Sequence, residues 1–188
     1  MDTAVNGGLN GYDTHRTGLQ GQANGQTNGG EFNGLFNTGY DFRKGAFIFG
    51  PTASFNYTYV GTGGFIERGS LAPLDIHGGS EESIRTAIGF KLRHDWKVGT
   101  VLIKPEVRAA WQHEYGDTTY ALDSNFANGA GGAFTVEGPE LGRDSALLSG
   151  GFAIQWSDRF STYVFYDGEL GRTNYHVSSV SGGCRLDF

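Results

Sequence analysis

The sequence predicts an all-β protein, an antiparallel up-and-down transmembrane β-barrel with about eight strands in this chain. Three observations lead to this prediction. Glycine is very frequent, with 32 of 188 residues, aromatic residues make up 14%, and helix-favouring runs are scarce. Eight stretches alternate apolar and polar side chains with a period of two. Long and short connections alternate along the chain, as in a meander with one elaborated rim.

The stretch Val101–Tyr115 shows the alternation most clearly. Successive side chains of a strand point to opposite faces, so this stretch has one apolar face and one charged face. It is too long for an ordinary strand of a soluble protein and fits a tilted membrane strand better. The charged face carries Lys104, Glu106, Arg108, Gln112 and Glu114.

The charged faces of the strands are expected to line the inside of the barrel. A cation that faces lipid near the midplane costs about 2–4 kcal/mol. A soluble β-sandwich would turn these charges to water and a lipocalin-like cup would need an apolar interior, but the strand lengths and the aromatic ends of the apolar face favour a membrane barrel. The predicted lumen charges are Arg85, Lys91, Arg93, Lys104, Glu106, Arg108 and Glu114, with Arg93 or Lys91 paired to Glu106, and with Asp167 and Glu169 also assigned inward.

The alternation divides the chain into strands, loops and tight turns. The first strand is the weakest because glycines dilute its pattern. Loops are predicted at Asn24–Gly30, Glu67–Glu82 and Gly116–Gly142, and tight turns at Arg43–Gly45, Lys97–Gly99 and Ser157–Arg159. The predicted strands are Thr3–Thr17, Glu31–Phe42, Ala46–Gly61, Ser83–Trp96, Val101–Tyr115, Asp144–Trp156, Phe160–Leu170 and a last strand that reaches Phe188.

Aromatic residues at the strand ends predict two belts at the membrane surfaces. With an even number of strands, both termini lie on the side of the short turns. The first and last strands are expected to pair and close the barrel, and eight strands leave a lumen filled by side chains. The inner belt is Phe42, Phe47, Trp96, Trp156 and Phe188, and the outer belt is Tyr57, Tyr59, Trp111 and Tyr115.

Composition excludes several classes of protein. The net charge of −6 and a pI near 5.3, with no basic stripe, argue against nucleic-acid binding. The mean hydropathy is −0.35 and no run approaches 18 apolar residues, so no membrane helix is expected.

The N-terminal MDTAVNGGLNGYD lacks the basic start and apolar core of a signal peptide. An outer-membrane protein needs one, so the chain is either mature or truncated, or its compartment is different.

Three segments of the chain are distinctive: FGPTASFNYTYVGTGGFIERG, IKPEVRAAWQHEYGD and the stretch from Gly138 to Phe188. They resemble strands of the autotransporter translocator barrel, and the resemblance covers nearly all of the chain from about Gly30. It implies a twelve-stranded barrel of the bacterial outer membrane that anchors and exports an N-terminal passenger, with a linker helix in the pore. The eight strands found here match the last eight of that barrel, and neither linker nor passenger is found. A single domain is predicted over residues 1–188, and the evidence for it is weakest over residues 1–30.

The resemblance also implies how the chain reaches its membrane. The terminal Phe188, with Leu186 and Cys184 at alternate positions before it, is similar to the signal that the outer-membrane barrel assembly machinery takes up. The expected partners are therefore the outer-membrane bilayer, this machinery and a passenger, with no nucleic acid. Cys184 is the only cysteine, which excludes an internal disulfide.

Two other functions remain open. One is a stand-alone structural or adhesive barrel without transport. The other is an outer-membrane hydrolase that uses His113, Glu114 and Asp117 at the outer rim, although an interfacial role of His113 is favoured. Asp123 and Glu137 lie in the same loop as Asp117 and suit a hard cation, but solvated carboxylates are favoured. His77 and His94 are isolated and G-x-S-x-G is absent, so no catalytic residue, metal or cofactor is predicted.

Overall fold

The computed structural model describes residues 1–188 and consists of strands joined by turns and loops. It has no helix that is long and apolar enough to cross a membrane. The strands are β1 (Asp2–Gly18), β2 (Gly21–Gly39), β3 (Phe42–Lys44), β4 (Phe47–Thr62), β5 (Phe65–Ile66), β6 (Leu74–Ile76), β7 (Gly79–His94), β8 (Trp96–Val98), β9 (Val101–Glu114), β10 (Ala121–Phe126), β11 (Phe134–Glu137), β12 (Asp144–Gln155), β13 (Phe160–Leu170) and β14 (Val177–Leu186).

The main sheet confirms the predicted up-and-down meander. Its order is β1-β2-β4-β7-β9-β12-β13-β14, and every neighbouring pair is antiparallel. β3 and β8 continue β2 and β7 in the same register against β4 and β9. The two breaks lie beside Pro51 and Pro105, because proline has no N–H to donate to the neighbouring strand. The predicted short turns after β3, β8 and β12 are confirmed.

The predicted loop at Asn24–Gly30 is wrong, because these residues belong to β2. β1 and β2 form one long hairpin with a two-residue turn at Leu19–Gln20, so the first connection is short, not long. Gln20 has a φ of 50° and Gly21 a φ of 145°, which gives the tight reversal. Backbone pairing holds this segment, and its glycines and asparagines carry almost no alternation from which a strand could be predicted.

The two faces of the main sheet differ as predicted. The face opposite the charged residues carries exposed apolar side chains: Ile88 is 63% exposed, Val107 56% and Phe152 44%. The other face surrounds a cavity of about 660 Å³ that is lined by residues from all eight main strands. The sheet therefore curls with its polar face on the concave side and its apolar face on the convex side.

The barrel is not closed by its first and last strands, which corrects the expectation of closure. β1 pairs only with β2 and β14 only with β13. Both strands retain an edge of unpaired N–H and C=O groups, and every residue of β14 is exposed. The curvature of eight strands brings both edges to the same cavity without joining them, so the structure is a partial barrel.

The two long loops are more ordered than the sequence predicted. β5, β6, β10 and β11 form a second sheet in the order β11-β10-β6-β5, here called the annex. It joins the loop between β4 and β7 to the loop between β9 and β12. The rings of Phe126 and Phe134 lie 5.8 Å apart within it. These strands have two to six residues, too few to show a period in the sequence.

An ion pair attaches the annex to the β1–β2 hairpin. Arg16 Nε donates to Glu67 Oε1 at 3.1 Å, and the amide of Leu74 donates to Glu67 Oε2 at 2.9 Å. Asn24 and Arg68 exchange backbone hydrogen bonds of 2.9 Å in both directions. The hydrogen bond from Arg16 holds the pKa of the Glu67 carboxyl below its ordinary value, against the opposing effect of burial. Glu67 is 5% exposed and Arg16 44% exposed, so the carboxylate side of the contact is shielded from solvent and the guanidinium side is partly open.

The attachment of the annex is predicted to weaken in acid. Because the pKa of Glu67 is lowered in the folded protein, its contribution is complete above the ordinary carboxyl pKa and is lost as the pH falls through the lowered value. Amide hydrogen exchange at Leu74, corrected for the intrinsic rate, should show protection at neutral pH that disappears in acid. Glu67→Gln should reduce protection at neutral pH and flatten this profile. Glu137→Gln, at an exposed position of the same annex, is the control, and an unchanged profile in Glu67→Gln would contradict the assignment.

Candidate functional site: the concave wall and its outer rim

The register of β7 and β9 places the predicted lumen charges in rows on one face. Arg85 lies opposite Glu114, Lys91 opposite Arg108, and Arg93 opposite Glu106. Lys104 follows on the same parity of β9. Lys91 and Arg108 line the cavity directly, together with Asp167 and Glu169 of β13. All seven predicted residues thus share the concave face.

The ion pairs on this wall differ from the expected pairing to Glu106. Lys91 Nζ lies 2.7 Å from Asp41 Oδ1, and Arg93 Nε lies 3.3 Å from Asp95 Oδ1. Arg108 pairs with Glu106 two residues earlier on its own strand. Lys91 and Arg108 are like charges in register, and each turns away from the other, Lys91 past β4 to Asp41 and Arg108 along its own strand to Glu106. Gly50 lies opposite Lys91 and has no side chain to block the path to Asp41.

Glu114 forms the centre of a buried network at the outer end of the wall. Its side chain is 2% exposed. Its Oε2 accepts hydrogen bonds from Ser83 Oγ at 2.6 Å and Arg85 Nε at 2.7 Å. Its Oε1 accepts from the amides of Ile84 at 2.8 Å and Gly116 at 2.9 Å. A buried carboxylate needs this degree of satisfaction to remain charged.

Arg172 extends this network to the connection between β13 and β14. Its side chain is 2% exposed, its Nη2 lies 3.8 Å from Glu114 Oε2, and its Nη1 lies 3.8 Å from Glu169 Oε1. Its Nε donates to the carbonyl of Gly142 at 2.7 Å, and its guanidinium lies 5.1 Å from the centre of the Tyr175 ring. Arg172 could not be predicted as a functional residue, because it lies in a connection without alternation. An isolated arginine after a strand was the only available signal.

The proposed hydrolytic residues are not brought together. His113 and Glu114 are consecutive in β9 and point to opposite faces. His113 Nδ1 lies 2.8 Å from Asp144 Oδ1 on the convex side, while Glu114 is held in the concave network. Asp117 Oδ2 accepts a hydrogen bond from the amide of Glu82 at 2.8 Å. No group of three His, Cys, Asp or Glu residues in the structure is placed to hold a metal ion.

The predicted belt residues lie at opposite ends of the convex face. Trp111 and Tyr115 are 52% and 58% exposed at the outer end. At the inner end, Trp156 Nε1 donates to Thr162 Oγ1 at 2.9 Å, and Phe42 and Trp96 are also exposed. Of the predicted assembly signal, Cys184 lies opposite Thr162 and Leu186 opposite Phe160, and Phe188 is fully exposed beyond β14. The roles of these residues in membrane insertion stay predictions.

Comparison with known proteins identifies the family. The family model described as the autotransporter beta-domain matches residues 1–167. The chain belongs to the autotransporter β-domain family. Two proteins named extracellular serine protease, both from Serratia marcescens, are 26% identical to it over 151 residues, which are 80% of this chain and 14% of each relative. This autotransporter β-domain is an outer-membrane β-barrel protein of type V secretion, as the sequence predicted.

Loss of the buried carboxylate is predicted to destabilise the autotransporter β-domain strongly. Glu114→Ala leaves Arg85 and Arg172 without their shared counter-charge, and removing one member of a buried ion pair costs about 3–5 kcal/mol. The urea midpoint of the protein folded in detergent micelles should fall accordingly, measured by its heat-sensitive electrophoretic mobility. Glu82→Ala, which removes an exposed carboxylate on a neighbouring strand, should leave the midpoint nearly unchanged. Equal shifts in both variants would contradict the role of Glu114.

Proposed function

We propose that this chain forms part of the wall of a translocator that anchors and exports a passenger polypeptide. One observation carries the proposal: the apolar face of the sheet is convex, and the charged face surrounds a cavity. A bilayer accommodates the first face, and a hydrated polypeptide accommodates the second. The family match supports a translocator role in the outer membrane, and export of a passenger is the further step proposed here.

The pairing of charges on the concave wall suits passage rather than capture. Both cations that line the cavity are neutralised, Lys91 by Asp41 and Arg108 by Glu106, whereas the carboxylates of Asp2 and Asp167 are unpaired. An extended polypeptide exchanges hydrogen bonds with such a wall and meets no unpaired lysine or arginine in the lining. The network around Glu114 and Arg172 ties β7, β9 and the β13–β14 connection together at the outer end. We expect it to keep that end from collapsing.

We propose that further strands separate β1 and β14 in the working barrel. Both strands have an unpaired edge beside the same cavity, and unpaired backbone groups inside a bilayer each cost several kcal/mol. The twelve-stranded barrel implied by the resemblance would satisfy both edges. Within that barrel, residues 1–188 are proposed to form one continuous part of the domain.

Recognition by the outer-membrane assembly machinery is proposed to use the last strand. β14 offers a free edge for strand addition. Leu186 and Cys184 share the outward parity, and Phe188 follows them. The passenger is proposed to carry any chemistry, because the acid and histidine side chains of the outer rim face opposite sides of the wall.

A second candidate function is recognition at the cell surface by a barrel without transport. The annex favours it, since two long connections are folded into a sheet and fixed by Arg16 and Glu67. The two functions differ in what becomes of a polypeptide attached upstream of Met1. Only a translocator moves it across the membrane.

The export proposal predicts where an upstream tag resides. The protein should be expressed with a signal peptide and with its own upstream sequence bearing an epitope tag, and protease should then be added to intact cells. Loss of the tag from intact cells is expected.

Phe188→Ser should lower the amount of heat-modifiable protein in the outer membrane several-fold, because the assembly signal is removed. Phe47→Ser, at another exposed aromatic of the inner belt, is the matched control.

Two results would count against this account, and they separate its parts. A tag that stays protected while the barrel is correctly assembled would contradict export but not membrane anchoring. Equal assembly of Phe188→Ser and Phe47→Ser would contradict the role of the terminal Phe188.

A further inference from the structure

The convex face carries a polar cluster at its outer end that the translocator role does not use. Trp111 and His113 lie on the outward parity of β9, and Tyr115 continues this parity just beyond the end of the strand. Their ring centres are 5.7 Å and 4.6 Å apart. Asp144 of β12 lies directly opposite His113 in the register. These four residues are here called the belt cluster.

One carboxylate oxygen organises the belt cluster. Asp144 Oδ1 accepts a hydrogen bond from Trp111 Nε1 at 2.9 Å and lies 2.8 Å from His113 Nδ1. A carboxylate only accepts, so Nδ1 of the imidazole is the donor. His113 Nε2 and Asp144 Oδ2 make no hydrogen bond with another part of the protein. Both polar atoms thus remain available on a surface that otherwise faces lipid, where they need a partner.

The position of the cluster defines where a ligand would lie. Ile88 of β7 lies directly beside Trp111, and Val107 lies lower on the same face of β9. These two residues are 63% and 56% exposed. They belong to the apolar surface that meets acyl chains. β9 ends at Glu114, beyond which the chain enters the outer connection. A molecule bound here would have its tail along the apolar band and its headgroup at the cluster.

The chemistry of the cluster fits a sugar better than an anionic headgroup. Trp111 and Tyr115 are 52% and 58% exposed, and the apolar C–H face of a pyranose packs against aromatic rings of this kind. One hydroxyl of a sugar donates to the free Asp144 oxygen, and an adjacent hydroxyl donates to His113 Nε2, which accepts because Nδ1 carries the proton. Asp144 is 61% exposed. The nearest arginine in the chain, Arg143, is turned away and donates to the carbonyls of Glu114 and Gly116 at 3.0 Å. A phosphate would therefore meet a carboxylate without a neighbouring guanidinium.

We propose that the belt cluster binds the saccharide headgroup of a membrane glycolipid from the side of the barrel. Asp144 accepts hydrogen bonds from the sugar hydroxyls, His113 is held by Asp144 and contributes Nε2, and the rings of Trp111 and Tyr115 form the stacking surface. The site requires the chain to be embedded in a bilayer and is independent of passenger export. A failure of one proposal therefore leaves the other standing.

The test uses Trp111 as the reporter. The complete barrel domain, in which every tryptophan except Trp111 is replaced by Phe (Trp96→Phe and Trp156→Phe among them), is reconstituted in phosphatidylcholine bilayers that contain increasing fractions of digalactosyldiacylglycerol, a disaccharide glycolipid. Trp111 emission is expected to change with saturation. Asp144→Asn and His113→Ala should raise the half-saturating fraction several-fold. Thr86→Ala, opposite His113 on the neighbouring strand β7, should leave it unchanged. Heat-sensitive electrophoretic mobility identifies the samples that are folded.

Three results would overturn the proposal. The first is equal half-saturation in all variants. The second is an equal response to phosphatidylglycerol, which would show that any added lipid suffices. The third is an equal response to free digalactose in pure phosphatidylcholine bilayers, which would remove the lipid from the recognition. Native mass spectrometry of the unsubstituted protein gives a readout that no substitution affects: retention of glycolipid in preference to phosphatidylcholine supports the site, and no preference overturns it.

Discussion

The structure depends on one constraint, that a strand in a membrane wall must present unlike chemistry on its two faces. A period of two makes this possible, because every second side chain meets lipid and the rest meet the interior. In β9, Val107 and Trp111 face outward while Glu106 and Arg108 face the cavity. The curl of the sheet, the burial of Glu114 and the position of the belt cluster all follow from this division.

The backbone imposes a second requirement that the eight strands meet only in part. Each interior strand of the main sheet pairs on both sides, but β1 and β14 do not. In water an open edge is a site for association, and in a bilayer its unpaired groups are costly. This explains why an up-and-down sheet with well-separated faces still needs additional pairing before it can serve as a complete wall. The proposal of further strands answers that need.

The sequence predicted the strands with strong alternation and little else. The faces of β4, β7, β9 and β12 could be read from the chain because large apolar and charged residues alternate there. The hairpin that contains Asn24 could not be predicted, since backbone pairing of glycine and asparagine leaves no pattern of side chains. The annex could not be predicted either, because strands of two to six residues are too short to show a period.

The site shows the same limit at the level of single side chains. Parity placed Arg85, Lys91 and Glu106 on one face, but which carboxylate each cation meets depends on space, as Gly50 shows for Lys91. Arg172 belongs to no strand, so no periodicity pointed to its contact with Glu114. Periodicity thus predicts which face a residue occupies, and only packing decides its partner.

The most direct test of the two-faced wall is a scan of single cysteines along β9 in a Cys184→Ser background. Each position from 107 to 112 would carry a nitroxide label in a bilayer, and its relaxation by membrane-soluble oxygen would be compared with that by a water-soluble nickel chelate. The account predicts alternation, with oxygen dominant at Val107, Ala109 and Trp111 and the chelate dominant at Arg108, Ala110 and Gln112. Alternation of the opposite phase, or none at all, would contradict it.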